Sequence, residues 1–232
     1  MAILGLALFG SRARRDGGSD ADVDFLAVTT DRKPTFTVRR NLAVSTYPLG
    51  LMVAHAGLGD LFVLHVITEG QVIYESEPVF EKIKAAFRYN GDYAREIQLA
   101  TDVGWFLTRF GDQLRSAHLL NSRMAWTTRT IAIARAAAQQ RPVFGERQLA
   151  DDCKSPDVAA LIHNRNSGRR DPEMLAAFTR FLRAYGGKEP RAAATLEEQH
   201  AMFSADRNQA GLRLIGRMMK PVKPDPVMKS KA

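Results

Sequence analysis

Two residue pairs near the start of the chain have the types and spacing of a phosphate and metal site. Gly10 and Ser11 end an apolar run, and Asp22 and Asp24 open a β-prone run that is separated from Ser11 by ten residues. Glycine lets a phosphate approach the backbone closely, and serine adds a hydroxyl donor. Alternate residues of a strand face one side, so the two aspartates are expected to project together. Carboxylates beside such a turn indicate a site for Mg²⁺ and a nucleoside triphosphate.

The alternative is that the acids are solvent-facing residues at a strand edge and that Gly10-Ser11 is an ordinary turn. The coincidence of both pairs with apolar runs on either side favours the functional interpretation, because context is what confirms a motif. Arg12 and Arg14 follow the turn directly. Guanidinium groups match phosphate oxygens in shape and charge, so both arginines are predicted to bind the nucleotide.

The segment Leu8–Val28 resembles the signature of the DNA polymerase beta-like nucleotidyltransferase superfamily. Within that superfamily it is most similar to the minimal nucleotidyltransferase and antibiotic nucleotidyltransferase branches. A looser resemblance covers Leu61–His65 and Glu69–Tyr74, which are similar to the helix and final strand of such domains. The resemblance implies an α+β fold, with a polymerase-beta-like domain on a small mixed sheet followed by an all-helical bundle.

The same resemblance implies an activity and a division of roles. The activity is transfer of a nucleoside monophosphate from ATP or another triphosphate to an acceptor hydroxyl. Gly10 and Ser11 would bind the triphosphate, while Asp22 and Asp24 would be catalytic and would bind Mg²⁺. The acceptor would be RNA such as tRNA, a protein side chain or a small hydroxylated molecule.

The sequence departs from the family pattern at a third carboxylate, which usually lies on a following strand. The candidate strand, Asn41–Tyr47, contains no acid. Proton removal would then fall to water, to the substrate or to a residue elsewhere, such as Asp60 or Glu69. Loss of a general base typically costs about 10²–10⁴-fold in rate. A catalytically impaired nucleotide-binding or antitoxin-like module is therefore a second hypothesis.

Periodicity divides the chain into three parts. Residues 1–77 contain strand candidates and a helix expected at Leu58–Glu69, which predicts the nucleotidyltransferase domain. Residues 78–219 carry helical patterns alone and predict the bundle. Residues 220–232 are rich in lysine and proline and are expected to form a disordered basic tail.

Helix-start signals support the bundle. Ser155-Pro156 and Asp171-Pro172 combine a capping side chain with proline at the first helical position. Thr195 and Glu198 fit a capping box. We therefore expect helices to begin at these three places.

Composition limits the classes of function. The formal net charge is +8 and the pI about 9.9, which favours a polyanionic partner and argues mildly for RNA over a cationic aminoglycoside. No apolar stretch reaches the roughly 20 residues of a membrane helix, so no membrane partner is expected. One cysteine, Cys153, excludes a disulfide framework and favours a cytoplasmic location. With no helix before the first strand, the sheet would leave a face for a neighbouring element or subunit, which makes a homo-oligomer one expectation.

Other polar residues are predicted to be structural or solvent-exposed, with no part in catalysis. The five histidines, His65 among them, lack metal-ligand spacing and are expected to be structural or surface groups. Basic clusters at Arg165, Arg169 and Arg170 and from Arg207 onward are typical of a solvated face when taken singly. Together with the net charge they keep an RNA acceptor among the hypotheses.

Overall fold

The first part of the chain forms a five-stranded mixed sheet. The structure is a computed structural model that describes residues 2–16 and 22–218. The strands are β1 (Ile3–Phe9), β2 (Val23–Thr29), β3 (Thr35–Arg39), β4 (Leu42–Pro48) and β5 (Gln71–Glu75). They lie in the order β3-β4-β2-β1-β5; β2 and β4 run parallel, and the other neighbouring pairs run antiparallel.

Three helices pack on one face of this sheet: α2 (Leu49–Gly57), α3 (Leu61–Glu69) and α4 (Val79–Ala86). Side chains alternate along a strand, so Leu26 and Val28 of β2 point to this face together. They form a buried core with apolar residues of the helices and of β1: Phe9, Met52, Ala56, Val63, Val66, Val79 and Ile83. Asp24 belongs to the same alternating set and therefore lies on the helix-covered face.

The two edge strands carry exposed apolar side chains. Phe36 on β3 is 69% exposed, and Ile73 and Tyr74 on β5 are 56% and 49% exposed. Open strand edges of this kind can pair with another chain. The exposed edges are compatible with the homo-oligomer expectation, which stays a prediction.

After β5 the described residues form helices and loops. The helices are α5 (Ala94–Phe110), α6 (Ala117–Ala138), α7 (Glu146–Asp152), α8 (Pro156–His163), α9 (Pro172–Tyr185), α10 (Leu196–Ala205) and α11 (Gln209–Met218). A short 3-10 helix, Asn164–Asn166, follows α8. Their apolar faces share one large core around Phe106, Ile131 and Phe178. The chain is thus an α+β sheet unit followed by a helical part, as the sequence predicts.

A third core cluster joins the two parts. Leu64 of α3 and Tyr93 pack against Ala134 and Ala137 of α6 and against Phe144, which follows α6. All five residues are buried. The contact holds the first residues of β2 within reach of side chains from the helical part.

The predicted helix starts at 156, 172 and 196 are confirmed. Asp171 Oδ1 accepts a hydrogen bond from the Glu173 N–H at 2.8 Å, and Thr195 Oγ1 accepts one from the Glu198 N–H at 3.2 Å. α8 begins at Pro156 after Ser155, although the serine side chain makes no capping bond.

Within the sheet unit, β3, α2 and the single turn α1 (Ser11–Arg14) were not predicted. The helix expected from Leu58 begins instead at Leu61, because Asp60 Oδ1 accepts hydrogen bonds from the N–H groups of Phe62 and Val63 at 2.9 and 3.0 Å. A side-chain cap of this kind defines a helix start.

Within the described ranges, no single helix is both long and apolar enough to cross a membrane; α2 and α3 meet that test only as a pair, and they are bent by 105°. The predicted basic tail, 220–232, lies outside the described residues. The domain limits at 77 and 219 stay predictions.

Candidate active site

A tight turn connects β1 to α1 and brings Gly10 against Asp24. Gly10 has φ +78°, and a Cβ at this position would lie 2.8 Å from Asp24 Oδ2. Phe9 and Asp24 are register partners on β1 and β2, which is why the turn and the carboxylate meet at one end of the sheet. Only glycine combines this backbone conformation with so close an approach. The Asp24 carboxylate therefore lies against the backbone of this turn.

Asp22 lies next to this carboxylate but in a different environment. β2 begins at Val23, so Asp22 precedes the strand and is exposed, whereas Asp24 is half-buried. Burial, and then the negative charge of Asp22, raise the pKa of Asp24 above its ordinary value. The structure thus brings the two predicted acids together as a like-charged pair.

Positive side chains from distant segments oppose this effect. His65 of α3, Arg165 of the Asn164–Asn166 turn and Arg129 of α6 each act to lower the pKa of Asp24. Burial, followed by the charges of Arg14 and Arg165, lowers the pKa of Arg129. Arg129 and Arg165 are therefore close enough to Asp24, and Arg129 is close enough to Arg14 and Arg165, for their charges to interact.

The Arg14 guanidinium forms hydrogen bonds with two carboxylates of the protein. Its Nε donates to Asp16 Oδ2 at 2.9 Å, and its Nη1 donates to Glu69 Oε2. Burial works against the charge of Arg14, but these two carboxylates outweigh it and raise its pKa. The same Glu69 oxygen lies 2.7 Å from His65 Nε2. Arg14 thus ties α1 to α3, and its predicted role in nucleotide binding stays a prediction.

Ser11 and Arg12 are the first residues of α1 and are half-buried. The Gly10 carbonyl accepts the Arg14 N–H at 3.1 Å, and the Ser11 carbonyl accepts the Asp16 N–H at 3.1 Å. These bonds hold the backbone of the turn in place. The predicted roles of Ser11 and Arg12 toward phosphate stay predictions.

No acid stands beside Asp24 on the neighbouring strand. Its register partner on β4 is Ala43, which is buried. Asp60, one expected substitute for a third carboxylate, caps α3, and its Oδ2 lies 3.7 Å from His55 Nδ1. Glu69, the other, is shared by Arg14 and His65. Both carboxylates therefore already have structural partners.

The donor set suits Mg²⁺ together with phosphate, and not a metal held by protein alone. Across residues 2–16 and 22–218, no group of three or more His, Cys, Asp or Glu side chains is arranged to hold a metal ion. Asp22 and Asp24 supply hard oxygen ligands, and triphosphate oxygens can supply others. A cation there would also relieve the repulsion between the two carboxylates.

Sequence reasoning missed Arg129 and predicted that His65 is only a structural or surface residue. Arg165 was noted within a basic cluster whose members have different surroundings: the charge of Arg165 acts on Asp24, whereas Arg170 donates to the Gly111 carbonyl at 2.8 Å. His65 stacks on Phe144 at a centroid distance of 4.4 Å. No local pattern marks these residues, because they approach Asp24 only through the packing of α3 and α6.

Comparisons with known proteins add little. No protein-family model matches the sequence, and a search of curated proteins finds no match. Among solved structures, the chain is similar to a nucleotidyltransferase-like protein from Exiguobacterium sibiricum 255-15, with 17% identity over 93% of this chain and 85% of that chain. The TM-score of 0.36 is too low to carry an inference about function.

Proposed function

We propose that the chain is a Mg²⁺-dependent nucleotidyltransferase that moves a nucleoside monophosphate from a nucleoside triphosphate to an acceptor hydroxyl. The observation that carries the proposal is the contact of the Asp24 carboxylate with the Gly10 turn, where a Cβ would lie 2.8 Å from Asp24 Oδ2. A carboxylate beside a glycine turn with positive φ suits a metal-bound phosphate better than it suits a structural role.

The turn binds the polyphosphate in this proposal. Gly10 presents backbone without a side chain, and Ser11 adds a hydroxyl donor. The charges of Arg129 and Arg165, from the helical part, act on Asp24 and would balance the charge of the β- and γ-phosphates. Charge-assisted hydrogen bonds from guanidinium to phosphate are among the stronger contacts available to a protein.

Asp22 and Asp24 would hold Mg²⁺ between the carboxylates and the phosphates. Mg²⁺ held there would neutralise the charge that develops on the phosphates and would favour the ionised acceptor hydroxyl. The acceptor oxygen attacks the α-phosphorus, the bond from that phosphorus to the bridging oxygen breaks, and pyrophosphate leaves with the bonding electrons. The hydroxyl proton passes to water or to the substrate, because Ala43 stands where a third carboxylate would be and Asp60 and Glu69 are engaged.

A nucleotide-binding or antitoxin-like module without turnover is the second candidate. The observation that favours it is the buried Ala43 beside Asp24, since the strand offers no general base there. The two candidates share the triphosphate site and differ in whether a bond to the α-phosphorus is exchanged.

The test is a label-transfer assay with α-³²P-labelled triphosphates, Mg²⁺, total RNA and cell lysate. It compares the wild type with Asp22→Asn/Asp24→Asn and with Asp112→Asn/Asp151→Asn. The control removes the same charge from two exposed positions; Asp112 is 96% exposed. Transfer that is lost only in Asp22→Asn/Asp24→Asn supports the enzyme.

Two other results would contradict the proposed nucleotidyltransferase activity. Triphosphate binding by the wild type without any transfer supports the binding module. A wild type that does not bind triphosphate in the presence of Mg²⁺ overturns both candidates.

A further inference from the structure

The face of the sheet that points away from α2, α3 and α4 is apolar. Side chains alternate along β2, so Val23, Phe25 and Ala27 point away from the core that Leu26 and Val28 form with these helices. Residues directly opposite one another on neighbouring strands share a side of the sheet. We call this surface the open face; its apolar residues are Leu6, Leu8, Val23, Phe25, Ala27, Leu42, Val44 and Tyr74.

The side chains of the open face take no part in the cores of the protein. None of the eight belongs to the three core clusters that residues 2–16 and 22–218 form. Leu42 and Tyr74 are exposed, and Ala27 is the one residue of the eight that is buried. The open face is therefore an apolar surface without a second layer in the described part of the chain.

The two central strands have the sequence pattern of strands that are covered on both faces. Ile3–Phe9 is apolar apart from one glycine, and Phe25–Val28 is a continuous apolar run. A sheet with one solvated face shows alternation of apolar and polar residues instead. Large apolar surfaces on a folded chain mark contacts with a partner. The pattern therefore indicates that another molecule covers the open face.

The chemistry of the open face favours an apolar partner. Among its strand positions, the charged side chain is Arg39, which lies at a corner opposite Leu42. The other polar positions on this side are uncharged: Thr29, Thr35, Thr37, Thr46 and Gln71. Depletion of charge at the centre with a polar rim is typical of a protein–protein interface, whereas a nucleic acid needs positive charge there.

The two edges of the open face differ in charge. Arg32 and Lys33 precede β3 at one edge. Glu75 ends β5 at the other edge, and Glu77 follows it; Glu77 also contacts Lys82 of α4, on the helix-covered side. β3 and β5 run in opposite directions, so the start of β3 and the end of β5 lie at the same end of the sheet.

This asymmetry makes the open face complementary to a second copy of itself. A twofold axis along the central strand β2 stacks β3 of one copy on β5 of the other, which brings the basic edge against the acidic edge. An axis across the strands would stack β3 on β3 and would bring the basic edges together. The charges therefore favour the axis along β2.

The size of the open face is sufficient for a dimer. Five strands spaced about 4.8 Å apart, with about six residues of roughly 3.3 Å each, give a surface of about 24 Å by 20 Å in projection. Two such faces bury at least about 1,000 Å², which is the size expected of a specific interface. Sheets commonly pack face to face at about 10 Å.

We propose that the chain forms a twofold-symmetric homodimer in which the open faces of two copies stack along β2. Phe25 lies at the centre of this interface, and Leu8 packs against Val44 of the partner subunit. Gly10 and Asp24 belong to the helix-covered side and point outward. The dimer therefore goes beyond the proposed function and does not depend on it.

The experiment measures the mass of the full chain in solution by sedimentation velocity, without nucleotide. The wild type is expected at twice the chain mass of 25.7 kDa. The test variant, Leu6→Lys/Val44→Lys, places positive charges at the centre of the interface. The matched control, Phe36→Lys/Val38→Lys, adds the same charges at exposed apolar positions of β3 that point to the other side of the sheet.

The test variant is expected to weaken dimerisation about tenfold or more, as changes at central interface residues commonly do. The control is expected to remain dimeric. A monomeric wild type overturns the proposal and would mean that a different molecule covers the open face. Loss of the dimer in the control alone also overturns it, because the copies would then meet through β3.

Crosslinking tests the axis with variants that leave the apolar centre unchanged. Thr35 and Tyr74 lie at the same level of the sheet on its two edge strands, and Cys153 is buried and should not react. A mixture of Thr35→Cys and Tyr74→Cys is expected to form mixed dimers with a short bismaleimide. Absence of the mixed product, or crosslinking of Thr35→Cys to itself instead, contradicts the axis along β2.

A folding control accompanies the lysine variants. Circular dichroism and thermal unfolding should show that Leu6→Lys/Val44→Lys keeps the native secondary structure. If that variant is unfolded, the crosslinking result decides the proposal, since Thr35→Cys and Tyr74→Cys change exposed positions. The dimer stands or fails independently of label transfer, because none of these measurements uses triphosphate.

Discussion

Phe144 stacks on His65, with ring centroids 4.4 Å apart and planes inclined by 17°. Phe144 belongs to the helical part and His65 to α3 of the sheet unit. His65 Nε2 also contacts Glu69, which binds Arg14 of the turn after β1. One aromatic contact thus links the helical part to the segment that positions Gly10.

Phe144→Ala is expected to destabilise the chain by about 3–5 kcal/mol, because it opens a cavity at a fully buried position. Thermal unfolding measures the change. Phe36→Ala is the matched control, since Phe36 is 69% exposed and its loss should change stability little. Equal effects of the two variants would contradict the role of Phe144 between the two parts.

Gly10→Ala is expected to abolish triphosphate binding, because φ is +78° and the new Cβ would displace the Asp24 carboxylate. Isothermal titration calorimetry with ATP and Mg²⁺ measures the affinity for triphosphate. Gly50→Ala is the control: Gly50 lies in α2 with no atom within 4 Å of its Cβ position. That change should keep binding and stabilise the helix by about 0.5–1 kcal/mol. Normal ATP affinity in Gly10→Ala would refute the turn as the phosphate site.

Glu69→Gln is expected to cost about 3 kcal/mol of stability, because it leaves the largely buried Arg14 without its main carboxylate. Urea denaturation measures the free energy of unfolding. The control, Glu77→Gln, breaks an exposed pair with Lys82 and should cost less than about 1 kcal/mol. If Glu69→Gln were as mild as the control, the Arg14–Glu69 pair would not hold α1 to α3.

Arg129→Gln is expected to weaken ATP binding about tenfold while leaving the fold intact, because its charge acts on Asp24 and would attract phosphate. Arg95→Gln, at an exposed position of α5, is the charge-matched control. Binding is compared at equal ionic strength by titration calorimetry. Unchanged affinity in Arg129→Gln would remove this arginine from the nucleotide site.

Asp102→Asn is expected to stabilise the chain at pH 7. Burial raises the pKa of Asp102 above its ordinary value of 3.8, although its hydrogen bond from Gln98 works the other way. The folded state therefore binds this proton more tightly than the unfolded state. The contribution of Asp102 to the free energy of unfolding is therefore fully present below pH 3.8. It is lost as the pH rises through the pKa of the folded state.

The melting temperature of Asp102→Asn should thus exceed that of the wild type at pH 7, by about 2–4 °C per kcal/mol gained, and the difference should vanish in acid. Asp151→Asn, at an exposed position of α7, should show no such trend. A lower melting temperature for Asp102→Asn at pH 7 would mean that the carboxylate is needed as a charge.

The local part of the candidate site is encoded in the amino-acid sequence. A glycine-serine turn after one strand and an Asp-x-Asp at the next already predicted that Gly10 and Asp24 would meet, since strand alternation is a local property. It did not reveal β3, whose residues are all exposed, or α2, which is apolar but has no side-chain cap. Such elements lack the burial contrast and start signals from which periodicity is recognised.

The charges that surround Asp24 follow from the folded arrangement and not from any local pattern. Arg129 and Arg165 are more than a hundred residues away in the chain, and Arg14 meets Glu69 across 55 residues. Their approach depends on how α3 packs against α6, and no spacing along the sequence encodes that packing. Electrostatic interactions act through space, so the charge environment of a site exists only once the chain has folded.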